Sequence, residues 1–247
     1  MTPSWTVPEW PAPPGVRVLS TWRGGGVSDG SYASLNLGGH VGDAAAAVAE
    51  NRSRLRRAAG LPGEPVWLRQ VHGTAVADLD VPGTGESGAD AAVTRQPGRV
   101  CAILTADCLP LVFATPEGDR VGAAHAGWRG LAEGVIEAAV RVLEVPPERL
   151  LVWLGPAIGP LHFEVGAEVR EVLLKRDLGA EAAFVPNARG RFMADLYALA
   201  RRRLCALGVS RIFGGDECTY ARADRYFSYR RDGVTGRQAT LIWLENR

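Results

Sequence analysis

Histidine is scarce in this 247-residue chain, with four in all, and two of them share a local setting. His72 closes an apolar stretch just before Gly73, and His125 closes another just before Ala126-Gly127. Cys108 lies beside Asp107, between two apolar runs. Side chains at strand ends that open into loops can be aimed into a shared crevice. Two imidazoles and a thiolate suit Zn²⁺, and three protein ligands leave a fourth position for water or substrate, the mark of a catalytic site. Such an ion would hold Cys108 as thiolate and bring the pKa of a bound water to roughly 7. The separations, 36 residues from His72 to Cys108 and 17 from Cys108 to His125, match no local zinc signature. A buried cysteine is as a rule a small hydrophobe. The same three residues also suit a thiol hydrolase, with Cys108 as nucleophile activated by His125 or His72. A zinc that only stabilises an interaction module is the non-enzymatic reading, and residue type leaves all three open.

His40 lies in a glycine-rich loop where it can line the site. His162 opens an H-x-E string that zinc nucleobase deaminases follow with P-C-x-x-C, a segment absent from this sequence, so it reads as a chance match. Two stretches offer arginines to an anion. Arg129 stands at the start of an expected helix, where backbone N–H groups would face a phosphate. Arg230 and Arg231 follow an expected strand, where a polar hairpin with a surface salt bridge is the plainer reading. Tyr226, Phe227 and Tyr229 are placed to stack on a base, although alternating aromatics in a strand are usually half core.

The elements that must position these residues follow from hydrophobic periodicity and from turn residues. Strands are expected at 16–22, 65–71, 89–94, 100–105, 109–114, 120–125, 150–154, 211–213, 226–229 and 238–244. Helices are expected at 44–59, with Asp43 as N-cap and Gly60 as stop, and at about 131–143, 167–177 and 196–207. Strands and helices interleave without regular alternation, which predicts an α/β protein with mixed sheets. Residues 1–15 read as a proline-rich lead-in over the surface, and 16–247 as one domain with no linker or repeat.

Composition bounds the function. Apolar residues at 47% and charged residues at 22% support a large core. The formal charge of +1 removes any global attraction to nucleic acid or to an anionic membrane surface. All but one of the 28 basic residues are arginine, a bias that a GC-rich genome explains. No apolar run is long enough to span a membrane, and the start has no signal-peptide pattern, so a cytoplasmic location is expected. The four cysteines form no C-x-x-C pair, which argues against a disulfide framework.

Several stretches taken together resemble one family. They are Tyr32-Ala33-Ser34-Leu35-Asn36-Leu37-Gly38, Gln70-Val71-His72-Gly73, Ala106-Asp107-Cys108-Leu109-Pro110, His125-Ala126-Gly127-Trp128-Arg129-Gly130, Gly155-Pro156-Ala157-Ile158-Gly159-Pro160, Phe227-Ser228-Tyr229-Arg230-Arg231-Asp232 and Thr235-Gly236-Arg237-Gln238-Ala239. In order and over nearly the whole chain, they resemble the YfiH-like proteins, known both as laccase-domain or polyphenol oxidase proteins and as purine nucleoside phosphorylases.

The resemblance implies an α+β fold, a four-layer α/β/β/α sandwich, with His72, Cys108 and His125 as zinc ligands. It also implies phosphorolysis of purine nucleosides (adenosine, inosine, guanosine, methylthioadenosine) by inorganic phosphate, with deamination of adenosine as a side activity. On that reading Arg129, Arg230, Arg231, Asn36 and Gln70 are candidates for substrate and phosphate. Asp107 is then a proton donor or an anchor for the ligand set. Copper would enter the same three-residue site, because it outcompetes zinc for such donors. With four histidines and no H-x-H pair, the chain lacks the ligands of a multicopper centre. A monomer or homodimer is expected.

Overall fold

The computed structural model describes residues 2–84 and 88–245. Two sheets lie face to face. The first runs Trp5–Thr6, Val16–Thr21, Gln238–Leu244, Val100–Thr105, Val66–Trp67, antiparallel except for the last pair. The second runs Arg211–Gly214, Leu151–Leu154, Leu109–Ala114, Val121–Ala126, Ala91–Thr94, Val76–Asp78, antiparallel at its centre with a parallel pair at each edge. A small antiparallel sheet of Glu164–Val165, Phe192–Ala194 and Phe184–Pro186 packs beside the second.

Side-chain alternation explains the layering. Along Val100–Thr105, Val100, Ala102 and Leu104 join Leu55 of the helix Ala45–Ala59. Cys101 and Ile103 point the other way, to Val112, Ala114, Val121 and Ala123 of the second sheet. The opposite face of the second sheet, with Leu109, Leu111 and Phe113, packs on the helices Val135–Leu143 and Leu196–Ala206. Both faces of the central strands are therefore buried, which is why they read as unbroken apolar runs. The result is helix, sheet, sheet, helices: a single-domain α/β/β/α sandwich.

Local departures from the sequence expectation have identifiable causes. The expected helix 131–143 is two helices, Trp128–Glu133 and Val135–Leu143, because Gly134 takes φ 103° between them. The expected strand 226–229 is a loop that enters the helical turn Tyr229–Asp232, where Ser228 Oγ accepts from the Arg231 N–H. Tyr226 and Phe227 are both fully buried, so the aromatics do not alternate between faces. Of the expected strand 65–71 only Val66–Trp67 pairs. Ala44, not Asp43, precedes the first helix, and the Asp43 carboxylate accepts from Ser28 Oγ and Asn36 Nδ2. Trp5–Thr6, inside the proline-rich start, extends the first sheet, and Trp10 packs edge-on against Phe213. Among the described residues no helix is long and apolar enough to cross a membrane.

Candidate metal centre and active-site cleft

Register alone brings two of the three candidate ligands together. Leu109 pairs with Ala126 and Pro110 with His125, so Cys108, just before its strand, sits diagonally across from His125. The neighbouring strand begins at Ala91 opposite Ala124, which places Asp90 against His125 on the other side. The His125 N–H donates to the Asp90 carbonyl at 2.6 Å. His72 arrives from the loop after Val66–Trp67 with φ 62°, a left-handed conformation unusual for a residue with a Cβ. The candidate donor atoms of His72, Cys108 and His125 all lie within 4.8 Å of one another.

Asp90 organises this cluster. Its carboxylate is fully buried and accepts four hydrogen bonds, from the backbone N–H groups of Val71, His72 and Gly73 at 3.0, 2.9 and 2.8 Å and from His125 Nδ1 at 2.8 Å. The three amides hold His72 in its turn. The bond to Nδ1 fixes the His125 tautomer and leaves Nε2 for a ligand, the arrangement by which carboxylates orient metal-binding histidines. Burial alone would raise the Asp90 pKa, but the bonds from His125, Gly73 and Val71 outweigh it and hold the carboxyl below its ordinary range.

The same contest governs the ligands. Burial opposes ionisation of Cys108, yet the charge of His125 and hydrogen bonds from His125 and His72 bring the thiol down to about 6. Burial opposes protonation of His125, yet Cys108 and Asp90 raise it to about 9. Without a metal the pair is therefore thiolate and imidazolium, and a soft or borderline cation would take the thiolate and displace the His125 proton to bind the imidazole. Gly127 completes the cradle, because a Cβ there would stand 2.9 Å from Cys108 Sγ and 3.3 Å from His72 Cδ2. The residues present fit a metal ion with three protein ligands.

Asp107, at φ 97°, turns the chain from the first sheet into the second. Its carboxylate is engaged on both oxygens: Oδ1 accepts from Thr219 Oγ1 at 2.6 Å and Oδ2 from the Arg230 N–H at 2.7 Å. Its observed contacts are those of an anchor for the Cys108 turn. Gln70 pairs both ends of its amide with the Leu104 backbone, at 2.9 and 2.8 Å, and lines the cleft. Asn36 is buried, donating to the Gly38 carbonyl and the Asp43 carboxylate while its Oδ1 accepts from the Gly38 and Arg237 N–H groups.

The cleft over the cluster holds about 240 Å³ and is bounded by His40, Thr105, Tyr229 and Arg237 besides the three ligands. The three arginines singled out in the sequence lie outside that lining. Arg129 stacks on Trp128, and Arg230 lies over Phe163 and donates to the Glu164 carbonyl. Arg231 donates to the carbonyls of Thr219, Tyr220 and Tyr226 and to Asp232. His162 stacks on Tyr220 and faces Cys218 Sγ at 3.5 Å, away from the cluster.

Two residues fall outside the sequence candidates for the site. Asp90 is a lone acid at the head of an alanine-rich strand, with no motif around it. Arg237, the residue before the last strand, lies in the stretch Thr235-Gly236-Arg237-Gln238-Ala239 but has no role assigned to it there. An ionisable residue at the start of an apolar strand was the available signal for both.

The family model described as multi-copper polyphenol oxidoreductase laccase matches residues 17–245. The chain is 53% identical over 238 residues to the purine nucleoside phosphorylase YfiH of Escherichia coli K12, covering 96% of this chain and 98% of that one. It is 53% identical over 244 residues to a purine nucleoside phosphorylase of Pseudomonas aeruginosa, covering 98% and 99%. The crystal structure of a Neisseria meningitidis protein superposes with a TM-score of 0.93 at 46% identity, covering 98% of this chain and 99% of that one. By matched length, identity and fold, the chain belongs to the YfiH-like family, a family of enzymes by the names its curated members carry.

Proposed function

We propose that this protein is a purine nucleoside phosphorylase that holds one zinc ion on His72, Cys108 and His125. Its substrates are then adenosine and related purine nucleosides, among them inosine, guanosine and methylthioadenosine, with adenosine deamination as a side activity. The observation that carries the reading is the convergence of three donor atoms within 4.8 Å at the floor of a cleft that an aromatic ring and a cation also border. The names of the relatives supply the reaction class. Bound there, zinc supplies a Lewis acid able to polarise a substrate atom.

The chain's own residues supply the rest. Tyr229 is 62% exposed at the cleft edge and offers a face for the purine, whereas Tyr226 and Phe227 are core. Asp90 holds His125 and the His72 turn, Asp107 anchors Cys108, and Gln70 ties the cleft wall to the first sheet. Preorganised groups of this kind favour the transition state because they need no rearrangement as charge develops.

The family description names a multicopper oxidase. Among the described residues one group of three histidine or cysteine ligands converges, too few for several copper ions. Copper in this site after loading would follow from ligand preference and is no evidence for oxidase function.

A second reading draws on the Cys108–His125 polarity, which in metal-free protein is that of a thiolate–imidazolium pair and suits a thiol hydrolase. The experiment is adenosine turnover with and without phosphate, on wild type and Cys108→Ala, alongside metal analysis. Phosphate-dependent adenine from the wild type alone, with one zinc per chain, is expected. Activity that survives chelation and disappears on thiol alkylation would replace the proposal with the hydrolase reading.

A further inference from the structure

Arg237 is the arginine that lines the cleft, and among the described residues no carboxylate forms an ion pair with it, the negative groups acting on it being Cys108 and Asp107. Its backbone N–H is fixed by Asn36 Oδ1 at 2.9 Å, and its Nη1 donates to the carbonyls of Thr235 and Gly236 at 3.0 and 2.9 Å. Nε and Nη2 have no acceptor among the described residues. Two carbonyls therefore hold one nitrogen of the guanidinium while Asn36 fixes the main chain, and the other donors are left for something outside the chain.

Next to it the last strand begins, with Gln238 paired to Thr105. Thr105 also borders the cleft, is 1% exposed, and its Oγ1 has no hydrogen-bond partner. Buried hydroxyls are rarely left so unless a ligand or water completes them. His40 lines the same space. Arg52 is tied to the Leu37 carbonyl and stacked on Trp67. The nearby acids are already engaged: Asp90 by His125 and three amides, Asp107 by Thr219 and Arg230. A forked cationic donor with two open nitrogens and an unsatisfied buried hydroxyl lining one cleft suit a tetrahedral oxyanion.

We propose that Arg237, with Thr105 Oγ1 and His40, forms the inorganic phosphate subsite in the cleft that the metal ligands and Tyr229 also line. The assignment rests on the phosphorylase reading for its reaction. An oxygen of hydrogen phosphate bonds to the ribose C1′ as the C1′–N9 bond breaks. The electron pair of that bond leaves with the purine, and the phosphate proton ends on a purine ring nitrogen, giving free base and ribose 1-phosphate. Arg237 holds the nucleophile and balances its charge while the ring oxygen and C1′ become electron-poor.

The test compares metal-loaded wild type, Arg237→Gln, Arg237→Lys and Thr105→Val, each checked for metal content. Steady-state kinetics give the KM for phosphate and for adenosine separately, and calorimetric titration with inorganic phosphate gives binding without turnover. Loss of one charge-assisted contact predicts a phosphate KM raised about 10- to 100-fold in Arg237→Gln. Arg237→Lys should fall between it and wild type, because it keeps the charge and loses the fork. Thr105→Val should show a smaller rise, and the adenosine KM should stay within about twofold throughout.

A fully metallated Arg237→Gln with unchanged phosphate KM and affinity overturns the subsite and leaves the phosphorylase reading intact. A wild type whose adenine release ignores phosphate overturns that reading instead. The subsite then survives only if the wild type still binds phosphate in the titration and Arg237→Gln does not, and absence of wild-type binding ends both.

Discussion

Asp90→Asn isolates the charge of the organising carboxylate with almost no change of shape. The aspartate accepts two hydrogen bonds on each oxygen, His125 Nδ1 and the His72 N–H on Oδ1, and the Val71 and Gly73 N–H groups on Oδ2. Asparagine keeps one oxygen. Whichever way its amide turns, an NH₂ group faces two donors. With the NH₂ toward His125, the ring must accept at Nδ1 and carry its proton on Nε2, where the metal would bind. With the NH₂ toward Val71 and Gly73, the turn that presents His72 loses its two flanking bonds. Each hydrogen bond to a charged acceptor is worth about 1.5–3 kcal/mol, so losing two removes at least about 3 kcal/mol. For a chain of this size that lowers the unfolding midpoint by about 6–12 °C. Metal affinity should fall about 10- to 100-fold, the usual penalty for removing an orienting partner.

Competition with a chromophoric chelator gives the affinity, and thermal unfolding of the metal-free protein gives the stability. The two readouts separate the claims. Full metal affinity with a lowered midpoint would mean that Asp90 supports the fold and does not orient the ligands. No change in either would refute the four-bond description. pH adds an independent check. The folded Asp90 carboxyl titrates below its ordinary range, so its contribution is complete above the unfolded value near 4 and is lost as pH falls through the folded one. The asparagine variant should therefore lose less stability between about pH 5 and 3 than wild type does.

Gly127→Ala places a methyl 2.9 Å from Cys108 Sγ, which should lower metal affinity at least about 10-fold while denaturant unfolding of the metal-free protein moves by under about 1 kcal/mol. In chelated protein the Cys108 thiol, brought to about 6, should alkylate at pH 7 and slow sharply below pH 6, whereas buried Cys101, whose pKa is pushed up, stays unmodified; peptide mapping reads both, and metal should protect Cys108. Tyr229→Ala should raise the adenosine KM about 5- to 100-fold, the range of base–aromatic stacking, and leave the phosphate KM unchanged; an equal rise in both would remove Tyr229 from base recognition.

How much was legible depended on whether a signal was local. The strands Val100–Thr105, Leu109–Ala114 and Gln238–Leu244 fall where the periodicity put them, because both faces are buried and each reads as a continuous apolar run. The helix Ala45–Ala59 stops where Gly60 takes φ 59°. Val76–Asp78 escaped notice, since three residues at a sheet edge carry no periodicity. The aromatic run at 226–229 misled because two adjacent rings, Tyr226 and Phe227, are both buried, which no strand alternation encodes. Cys108 and His125 were legible as reactive residue types at strand ends, whereas His72 lies in the loop beyond Val66–Trp67, and only the fold shows the three converging. Asp90 was not, because its importance lies in collecting three consecutive amides from a distant loop, and only the folded chain brings them to it.

The arginines make the sharper case. With 27 of them in the chain, residue type carries little information, and the sequence directed attention to Arg129, Arg230 and Arg231 although Arg237 also lies in one of the stretches that carry the family resemblance. Arg231 is conspicuous because it closes a loop, donating to three carbonyls and a carboxylate. What separates a binding arginine from a structural one is the set of donors the fold leaves unused. By that criterion Arg237 stands out in the cleft, with its main chain pinned by Asn36 and two of its donor nitrogens open. Asn36, one of the expected substrate contacts, then acts one step removed, by fixing where Arg237 begins. Asn36→Ala should raise the phosphate KM through a displaced Arg237 and also lower stability by about 1–3 kcal/mol, since buried N–H groups lose their acceptor. Arg237→Gln should move the phosphate KM and leave stability nearly unchanged. Identical behaviour of the two variants would contradict this division of labour.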